Sequence, residues 1–170
     1  HPKQFTDTVT VMEKIGHFTK ENRWLSNYHL IDIEYEGIIY PSTEHAFQAA
    51  KTLDKEERKK ILYNTDGSVT SCKDARLMGR KITMRADWED VKVNIMLELN
   101  RQKFRDLILM QRLLYTGSME LIEGNWWNDT FWGVCNGVGK NMLGKILMQI
   151  REEIREDLKK EEVPYEVFGI

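Results

Sequence analysis

Residues 40–51, YPSTEHAFQAAK, are the stretch around which the chain is organised. A proline followed by two hydroxyl residues and then good helix formers is typical of a helix start, where a hydroxyl can accept from a free backbone N–H. Successive helical residues advance by about 100°, so Gln48 and Lys51 lie within about 40° of Glu44 on one face. The opposite side carries small residues, Ala46, Ala49 and Ala50. The stretch therefore predicts an interior helix whose polar groups are directed at a specific target.

Glu44 has two interpretations when this stretch is taken alone. A glutamate in a first helical turn commonly complements the helix dipole, and a Glu44–Lys51 pair could simply be solvated. The functional interpretation, in which a carboxylate, an amide and an amine share one face, depends on the rest of the chain.

The composition fits one globular domain. At 170 residues the chain is long enough to bury one sizeable core. Its net charge of −2 gives no global electrostatic signal for nucleic acid or an anionic membrane. The two cysteines, Cys72 and Cys135, lack CxxC spacing and suit free thiols in a reducing compartment. Because no apolar run approaches the roughly 20 residues of a membrane span, we expect a cytoplasmic protein without membrane association.

The hydrophobic patterns predict an α+β fold, a compact single domain that is mostly helical with a small N-terminal antiparallel sheet. We expect the domain to span residues 9–162. Residues 1–8 are expected to be disordered or left over from expression, and residues 163–170 to form a C-terminal tail.

Individual elements follow from local patterns. Residues 9–18 carry a moderate strand signal, residues 20–28 a loop, and residues 30–40 a hairpin that turns at Glu36 and Gly37. Besides the helix that contains Glu44, four further helical regions are expected, at 54–63, at about 69–80, from Asp87 until Gly117 ends the helical region, and at the C-terminus. A short strand is expected at 119–123, between the last two.

Two apolar stripes mark the longer helices. Asp87 is a candidate N-cap, and the stripe after it is more typical of a core than of a site; it comprises Trp88, Val91, Ile95 and Leu99. The C-terminal stripe comprises Leu143, Ile146, Leu147, Ile150, Ile154 and Leu158.

Residues 124–141 combine glycines, polar residues and three tryptophans. Loops of this length inside a compact domain are usually functional or disordered, and the tryptophans argue against disorder. This segment is therefore expected to be functional.

Separated blocks of the sequence, in their order and spacing, resemble the YbiA-like or NADAR family, whose name refers to NAD and ADP-ribose. The blocks are residues 25–28 (LSNY), 42–51 (STEHAFQAAK), 74–80 (DARLMGR) with Trp88 beyond them, and 128–133 (NDTFWG) with 139–144 (GKNMLG). The resemblance covers nearly the whole chain.

The resemblance implies an N-glycosidase with a compact, mostly helical α+β fold. Family members hydrolyse the bond between a nitrogen and the anomeric carbon of a ribose. Some act on phosphorylated riboflavin-pathway intermediates and others on ADP-ribose adducts, including those on guanine. The match places the family's catalytic glutamate at Glu44 and its functional tryptophan at Trp88, and Lys51 and Asp129 occupy matching positions. One departure is Val134, since relatives often carry an acidic residue there.

The chemistry of these side chains is compatible with that activity. A carboxylate such as Glu44 stabilises the positive charge that develops on the sugar carbon, or activates water. Lys51 has two roles open to it, as a fixed cation for a phosphate or ribose hydroxyl, or as an amine that forms a Schiff base with the open-chain sugar. With Asp129, these are the predicted catalytic residues.

Seven residues are predicted to bind substrate: Asn27, Gln48, Arg76, Arg80, Trp88, Trp132 and Asn141. An aromatic plane can stack on a base, a task for Trp88 or a tryptophan of the 124–141 segment, and arginines can bind phosphate in a bidentate way. The backbone of residues 137–139 could form an anion site or only a turn. His45 is interpreted as a core histidine.

No metal and no cofactor are expected, because the chain has no ligand pairs at metal-binding spacing. The expected partner is a small nucleotide-sugar substrate, with ADP-ribosylated nucleic acid as a further candidate, and the oligomeric state is left open. The alternative function is an ADP-ribose-binding module without hydrolysis, which Val134 keeps open. A weaker alternative is a protein-interaction domain that uses the aromatic loop.

Overall fold

The structure of the protein is a computed structural model, and residues 13–161 of it are described. The expectations for residues 1–8 and 163–170 therefore lie outside the described residues.

The helices are α1 (Thr43–Ala50), α2 (Lys55–Leu62), α3 (Cys72–Met78), α4 (Trp88–Lys103), α5 (Leu107–Tyr115) and α6 (Met142–Lys160). The strands are β1 (Lys14–Ile15), β2 (Leu30–Tyr35), β3 (Ile38–Ser42), β4 (Glu120–Leu121), β5 (Gly124–Asn125) and β6 (Val134–Cys135). The α+β class is confirmed.

Helix α1 is the centre of the fold, as its sequence predicts. The side chain of Ser42 caps it by accepting from the backbone N–H of His45 at 3.1 Å. Every residue of α1 is buried, and the helix packs against α2, α3, α4 and both strands of the hairpin. Its polar residues therefore face the interior rather than solvent.

His45 is a core histidine, as expected. Its Nδ1 lies 2.6 Å from the Ser42 hydroxyl, and its Nε2 lies 2.7 Å from the carbonyl oxygen of Thr70. Burial lowers the pKa of His45, which suits a neutral ring that joins the start of α1 to the segment before α3.

The predicted hairpin is formed by β2 and β3, which pair antiparallel with Ile33 opposite Tyr40. Glu36 and Gly37 have φ values of 46° and 85°, the left-handed pair that a tight two-residue hairpin turn requires. The hairpin runs directly into Ser42 and so sets the position at which α1 begins.

The strand predicted at 9–18 does not join the hairpin. Of this predicted strand, residues 13–18 are described, and among them only Lys14–Ile15 is a strand. It pairs in parallel with β4. The antiparallel N-terminal sheet is thus the hairpin alone. Pairing between such distant segments depends on how α4 and α5 carry the chain back, which no local pattern records.

Two helical predictions need correction. The loop predicted at 20–28 contains a 3₁₀ helix, Lys20–Leu25. The helical region from Asp87 to Gly117 is two helices, because Asp106 starts α5 by accepting from the backbone N–H of Leu109 at 3.0 Å. Asp87 occupies the N-cap position of α4 without capping it, since its carboxylate pairs with Arg85 at 2.6 Å.

The other helices agree with expectation. Helices α2 and α3 fall inside the predicted ranges, with α3 capped by Ser71 and ended at Gly79. The C-terminal stripe is confirmed in α6, whose predicted apolar residues are all buried. Among residues 13–161, none of the helices has both the length and the apolar content needed to cross a membrane.

Candidate active site

A cavity of about 510 Å³ lies beside α1, within the size range of small-ligand sites. Its walls come from α1, α3, the chain around Asn27 and the segment 123–132. The predicted site residues that line it are Asn27, Glu44, Gln48, Lys51, Arg76, Arg80, Asp129 and Trp132. Trp88 and Asn141 do not line it.

Glu44 is held rigidly at the cavity wall. The Gln48 side-chain amide donates to its carboxylate at 2.8 Å, and its backbone N–H donates to the carbonyl of Asn27 at 3.1 Å. Burial raises the pKa of Glu44, and the amide of Gln48 with the cations Arg76 and Lys51 opposes that rise. A carboxyl group in such surroundings holds its proton more tightly than an exposed glutamate does, as catalytic carboxyl groups often do.

Lys51 follows the last turn of α1, on the same face as Glu44 and Gln48. Its Nζ lies 6.0 Å from the centre of the Phe47 ring. Burial lowers the pKa of Lys51, while the carboxylate of Glu44 acts in the opposite direction. This environment increases the share of neutral amine, the form that can attack a carbonyl carbon.

Asp129 is fixed by a local network of hydrogen bonds. Its Oδ1 accepts from the backbone N–H groups of Phe131 at 3.2 Å and Trp132 at 2.8 Å. The Asn125 side chain bridges the backbone of Asp129, accepting from its N–H at 3.1 Å and donating to its carbonyl at 2.9 Å. These bonds hold the Asp129 carboxylate in the cavity lining with little freedom to move.

Cations are concentrated around the cavity although the chain as a whole has a net charge of −2. The cationic lining residues are Lys20, Arg23, Lys51, Arg76 and Arg80, and the carboxylates are Glu44, Glu123 and Asp129. The Arg76 guanidinium lies 5.8 Å from the centre of the Trp127 ring and interacts with the hydroxyl of Tyr28. An anionic ligand such as a phosphate ester fits this charge distribution.

Trp88 does not reach the cavity, so the structure does not place it against a substrate base. It is 4% exposed, and its ring centre lies 5.0 Å from that of Phe47. Phe47 lines the cavity and also contacts Trp132 at 5.4 Å. Trp88 therefore supports the cavity wall from behind, as the apolar stripe of α4 predicts. The aromatic rings that line the cavity include Tyr28, Phe47, Trp127 and Trp132.

Asn141 has a structural position rather than one in the cavity. Its Oδ1 accepts from the backbone N–H of Glu123 at 3.0 Å, and its Nδ2 donates to the carbonyl of Leu121 at 2.9 Å. The side chain thus joins the start of α6 to the chain after β4. Assignment of Asn141 to substrate binding is not supported, because both ends of its amide are used.

The glycine segment before α6 forms a turn. The N–H groups of residues 140–143 donate to the carbonyl oxygens of residues 130–133, and the N–H of Val138 donates to the carbonyl of Cys135. Val138 uses its N–H within this segment, and Asn136 and Gly137 have the positive φ values of turn residues, so of the two interpretations of residues 137–139 the turn agrees with the structure.

Glu123 is a cavity residue that the sequence analysis missed. Asn125 Nδ2 donates to its Oε2 at 3.0 Å, and burial raises its pKa to about 7. A glutamate next to a short strand has no local signature, so only the absence of an acid at Val134 hinted that a carboxylate could come from elsewhere. Lys20 and Arg23 also line the cavity. The sequence analysis missed them because it interpreted their segment as a loop.

Within residues 13–161 no three His, Cys, Asp or Glu side chains are grouped so that they could hold a metal ion. Cys72 and Cys135 are free and buried.

Comparisons with known proteins agree on one family. A model of the NADAR domain matches residues 13–155. The N-glycosidase YbiA of Shigella boydii is 38% identical over 76% of this chain and 79% of that protein. A riboflavin biosynthesis protein of Vibrio vulnificus is 36% identical over 78% of this chain, which spans only 36% of that longer protein. The NMR structure of the Escherichia coli protein YbiA superposes with a TM-score of 0.73 at 32% identity, covering 86% of this chain and 88% of that one.

Proposed function

Because this chain belongs to the NADAR family, whose relatives include hydrolases of N-glycosyl bonds, we propose that it hydrolyses the bond between a nitrogen and the anomeric carbon of a phosphorylated ribose. The substrates that fit are ADP-ribose adducts, such as ADP-ribosylated guanine, and phosphorylated ribosylamino-pyrimidines of the riboflavin pathway. The observation that carries the proposal is Glu44, buried and hydrogen-bonded in a cavity that cations surround.

Glu44 supplies the carboxylate that the reaction needs. As the C–N bond breaks, positive charge develops on the anomeric carbon and ring oxygen, and a carboxylate beside them stabilises that charge or takes a proton from the attacking water. The amide of Gln48 holds one oxygen of Glu44, and so orients the carboxylate. The backbone N–H groups that fix Asp129 support a role in which it orients a ribose hydroxyl or the water.

The rest of the cavity supports binding of a phosphorylated sugar attached to a flat base. Arg76 and Arg80 offer guanidinium donors to phosphate, and Lys20 and Arg23 add positive charge to the cavity wall. Trp127 is the aromatic side chain best placed to stack on a base, because it lines the cavity and already contacts Arg76. Asn27 and Trp132 complete the lining.

The decisive experiment compares both substrate types. Purified protein is incubated with ADP-ribosylated guanine in DNA and with a ribosylaminopyrimidine phosphate, and the released sugar is measured. Glu44→Gln keeps the shape of the side chain but removes its charge, so its turnover is expected to fall by about 100-fold or more. Glu120→Gln, an exposed glutamate on β4, is the control that should behave as wild type.

The possible outcomes distinguish the substrate class, the role of Glu44 and the alternative of a binding module. Hydrolysis of one substrate assigns the physiological class, and near-normal turnover by folded Glu44→Gln removes Glu44 from the mechanism. Tight binding of ADP-ribose without hydrolysis of either substrate would favour the binding module. The sequence left that alternative open because of Val134, but Glu123 supplies a carboxylate to the same cavity.

Lys51 keeps two roles, and a trapping experiment separates them. If its amine attacks the open-chain aldehyde, the imine formed can be reduced by borohydride during turnover. A sugar adduct located at Lys51 by mass spectrometry would establish the imine route. Absence of an adduct during turnover, with substantial activity in Lys51→Arg, would leave Lys51 as an electrostatic anchor.

A further inference from the structure

Glu123 is held in the cavity wall by contacts on several sides. Its backbone N–H donates to Asn141 at 3.0 Å, and its carbonyl accepts from Val134 at 2.9 Å. Its Oε2 accepts from Asn125 at 3.0 Å and occupies the space that a side chain at position 133 would need, so that Gly133 makes room for the carboxylate. A carboxylate fixed so closely and facing a ligand cavity has the positioning that a catalytic group requires.

The charged groups around Glu123 favour retention of its proton. Burial is the main influence, and the carboxylates of Asp129 and Glu44 act in the same direction, while the Asn125 amide and the cation Arg76 oppose them. Glu44 and Asp129 line the same cavity as Glu123, which is why their charges act on it. The pKa of Glu123 rises to about 7, where a carboxylic acid is effective in proton transfer at neutral pH.

The two glutamates differ in their surroundings, which is the usual basis for dividing acid and base roles between two carboxylates. Glu44 has two cations acting on it, Arg76 and Lys51, whereas Arg76 is the cation that acts on Glu123. The two cations beside Glu44 favour its charged form against the effect of its burial.

From this geometry we propose that Glu123 is the general acid that protonates the departing nitrogen, with Glu44 as the carboxylate that receives the proton of the attacking water. The inference rests on the proposed N-glycoside hydrolysis. When the C–N bond breaks, its electron pair stays on nitrogen, which takes the proton of Glu123. The water oxygen then bonds to the anomeric carbon, and its proton passes to Glu44. Exchange with solvent returns both groups to their starting states.

This assignment has a chemical reason. An amine leaving group departs with difficulty unless its nitrogen is protonated, and the other carboxylates are occupied by different tasks. The requirement is the same if Lys51 forms an imine, because the nitrogen must still leave the sugar.

The test uses leaving groups that differ in their need for a proton. Glu123→Gln keeps the side-chain shape, and its kcat on an amine-linked substrate should fall by about 100-fold or more with KM nearly unchanged. Its kcat on 4-nitrophenyl ribofuranoside 5-phosphate, whose leaving group needs no proton, should stay within about fivefold of wild type. The alkaline limb of the kcat–pH profile on the amine substrate should disappear in Glu123→Gln and persist in the conservative variant Glu123→Asp.

The outcomes distinguish this inference from the proposed function. Equal losses on both leaving groups, or an alkaline limb that remains in Glu123→Gln, would overturn the role of Glu123 while leaving hydrolysis intact. If wild type does not cleave the nitrophenyl substrate, the pH profile decides alone. If Glu123→Gln does not fold, Glu123→Asp decides, because the misplaced acid should lower kcat more on the amine-linked substrate than on the nitrophenyl substrate, and equal losses would overturn the role of Glu123. Wild-type inactivity on every amine-linked substrate overturns both proposals.

Discussion

Glu44 and Lys51 lie two turns apart on one helix face, and burial moves their pKa values toward each other. The pKa of Glu44 is raised and that of Lys51 is lowered, in each case mainly by desolvation. A smaller difference between the pKa values of two neighbouring groups lowers the energetic cost of proton transfer between them, which is what acid–base catalysis uses. The same burial lowers the stability of the folded state, because the protein interior solvates charged groups poorly.

Glu123 should therefore make the stability of the protein depend on pH. Its pKa is about 7 in the folded state against an ordinary value of 4.5. The folded state keeps the proton where the unfolded chain has lost it, so the contribution of Glu123 to the free energy of unfolding decreases as pH rises from about 4.5 to about 7. Glu123→Gln removes this decrease, and the stability difference between variant and wild type should change by about 1–3 kcal/mol over that window.

Urea unfolding at pH 4.5 and 7.5 measures this difference, with Glu120→Gln as the exposed control. Parallel pH dependence of wild type and Glu123→Gln would contradict the raised pKa.

At the scale of elements, the contact between α1 and α3 decides how Glu44 is held. Gly79 ends α3, and a Cβ built there would lie 2.8 Å from Gln48 Cδ and still closer to its Oε1. Gln48 in turn donates to Glu44. The absence of a side chain at Gly79 is thus a condition for the orientation of the Glu44 carboxylate.

Gly79→Ala should reduce turnover more than stability. The φ of Gly79 is −59°, which alanine adopts readily, so the effect is steric and falls on Gln48. We expect about a tenfold loss of kcat, the scale at which small displacements of catalytic groups act. In a Gln48→Ala background the collision is absent, and Gly79→Ala should then have no further effect on kcat. Additive losses in the double variant would show that Gly79 acts by another route.

Helix α4 contributes support for the cavity wall through Trp88. Trp88→Ala removes a buried ring that packs on Phe47, and we expect a loss of about 3–5 kcal/mol in the free energy of unfolding, as for other large-to-small core changes. Trp126→Ala is the control for stability, because that ring is 79% exposed. Urea unfolding and ADP-ribose titration are measured together. Unchanged stability with weakened binding would instead place Trp88 against the substrate.

At the scale of the whole molecule, Lys103 connects the helical core to the cavity. It is fully buried at the end of α4, and its Nζ donates to the carbonyl of Ser26 at 2.8 Å. The next residue, Asn27, lines the cavity and accepts from the backbone of Glu44. Burial lowers the pKa of Lys103 to about 7, so this connection is made by a group that charges and discharges near neutral pH.

Lys103→Met should change the slope of stability against pH. In the folded state Lys103 loses its proton at about 7, whereas its ordinary value is 10.5. The unfolded chain binds more protons between these values, so the wild-type contribution to the free energy of unfolding increases with pH there. Lys103→Met lacks this increase, so we expect the free energy of unfolding of wild type to rise relative to that of Lys103→Met by about 1–3 kcal/mol between pH 7 and 9.5. Urea unfolding across this range tests the slope, and parallel curves would contradict a buried neutral amine.

The sequence by itself determined the local elements. Helix α1, the turn at Glu36 and Gly37, and the apolar stripe of α6 follow from capping, left-handed turn residues and helical periodicity, all of which act over a few residues. Periodicity also placed Glu44, Gln48 and Lys51 on one face. The resemblance to the family then brought the separated blocks to one site, and most of the residues it indicated line the cavity.

Only the tertiary structure decided which residues from distant parts of the chain come into contact around the cavity. Pairing of β1 with β4, the position of Trp88 behind Phe47 and the use of Asn141 as a connector all depend on contacts between distant segments. Glu123 reaches the cavity because Asn125, Asn141 and Gly133 hold it there. Its proton affinity is set by burial and by neighbours from other elements, and neither quantity exists in a local sequence pattern.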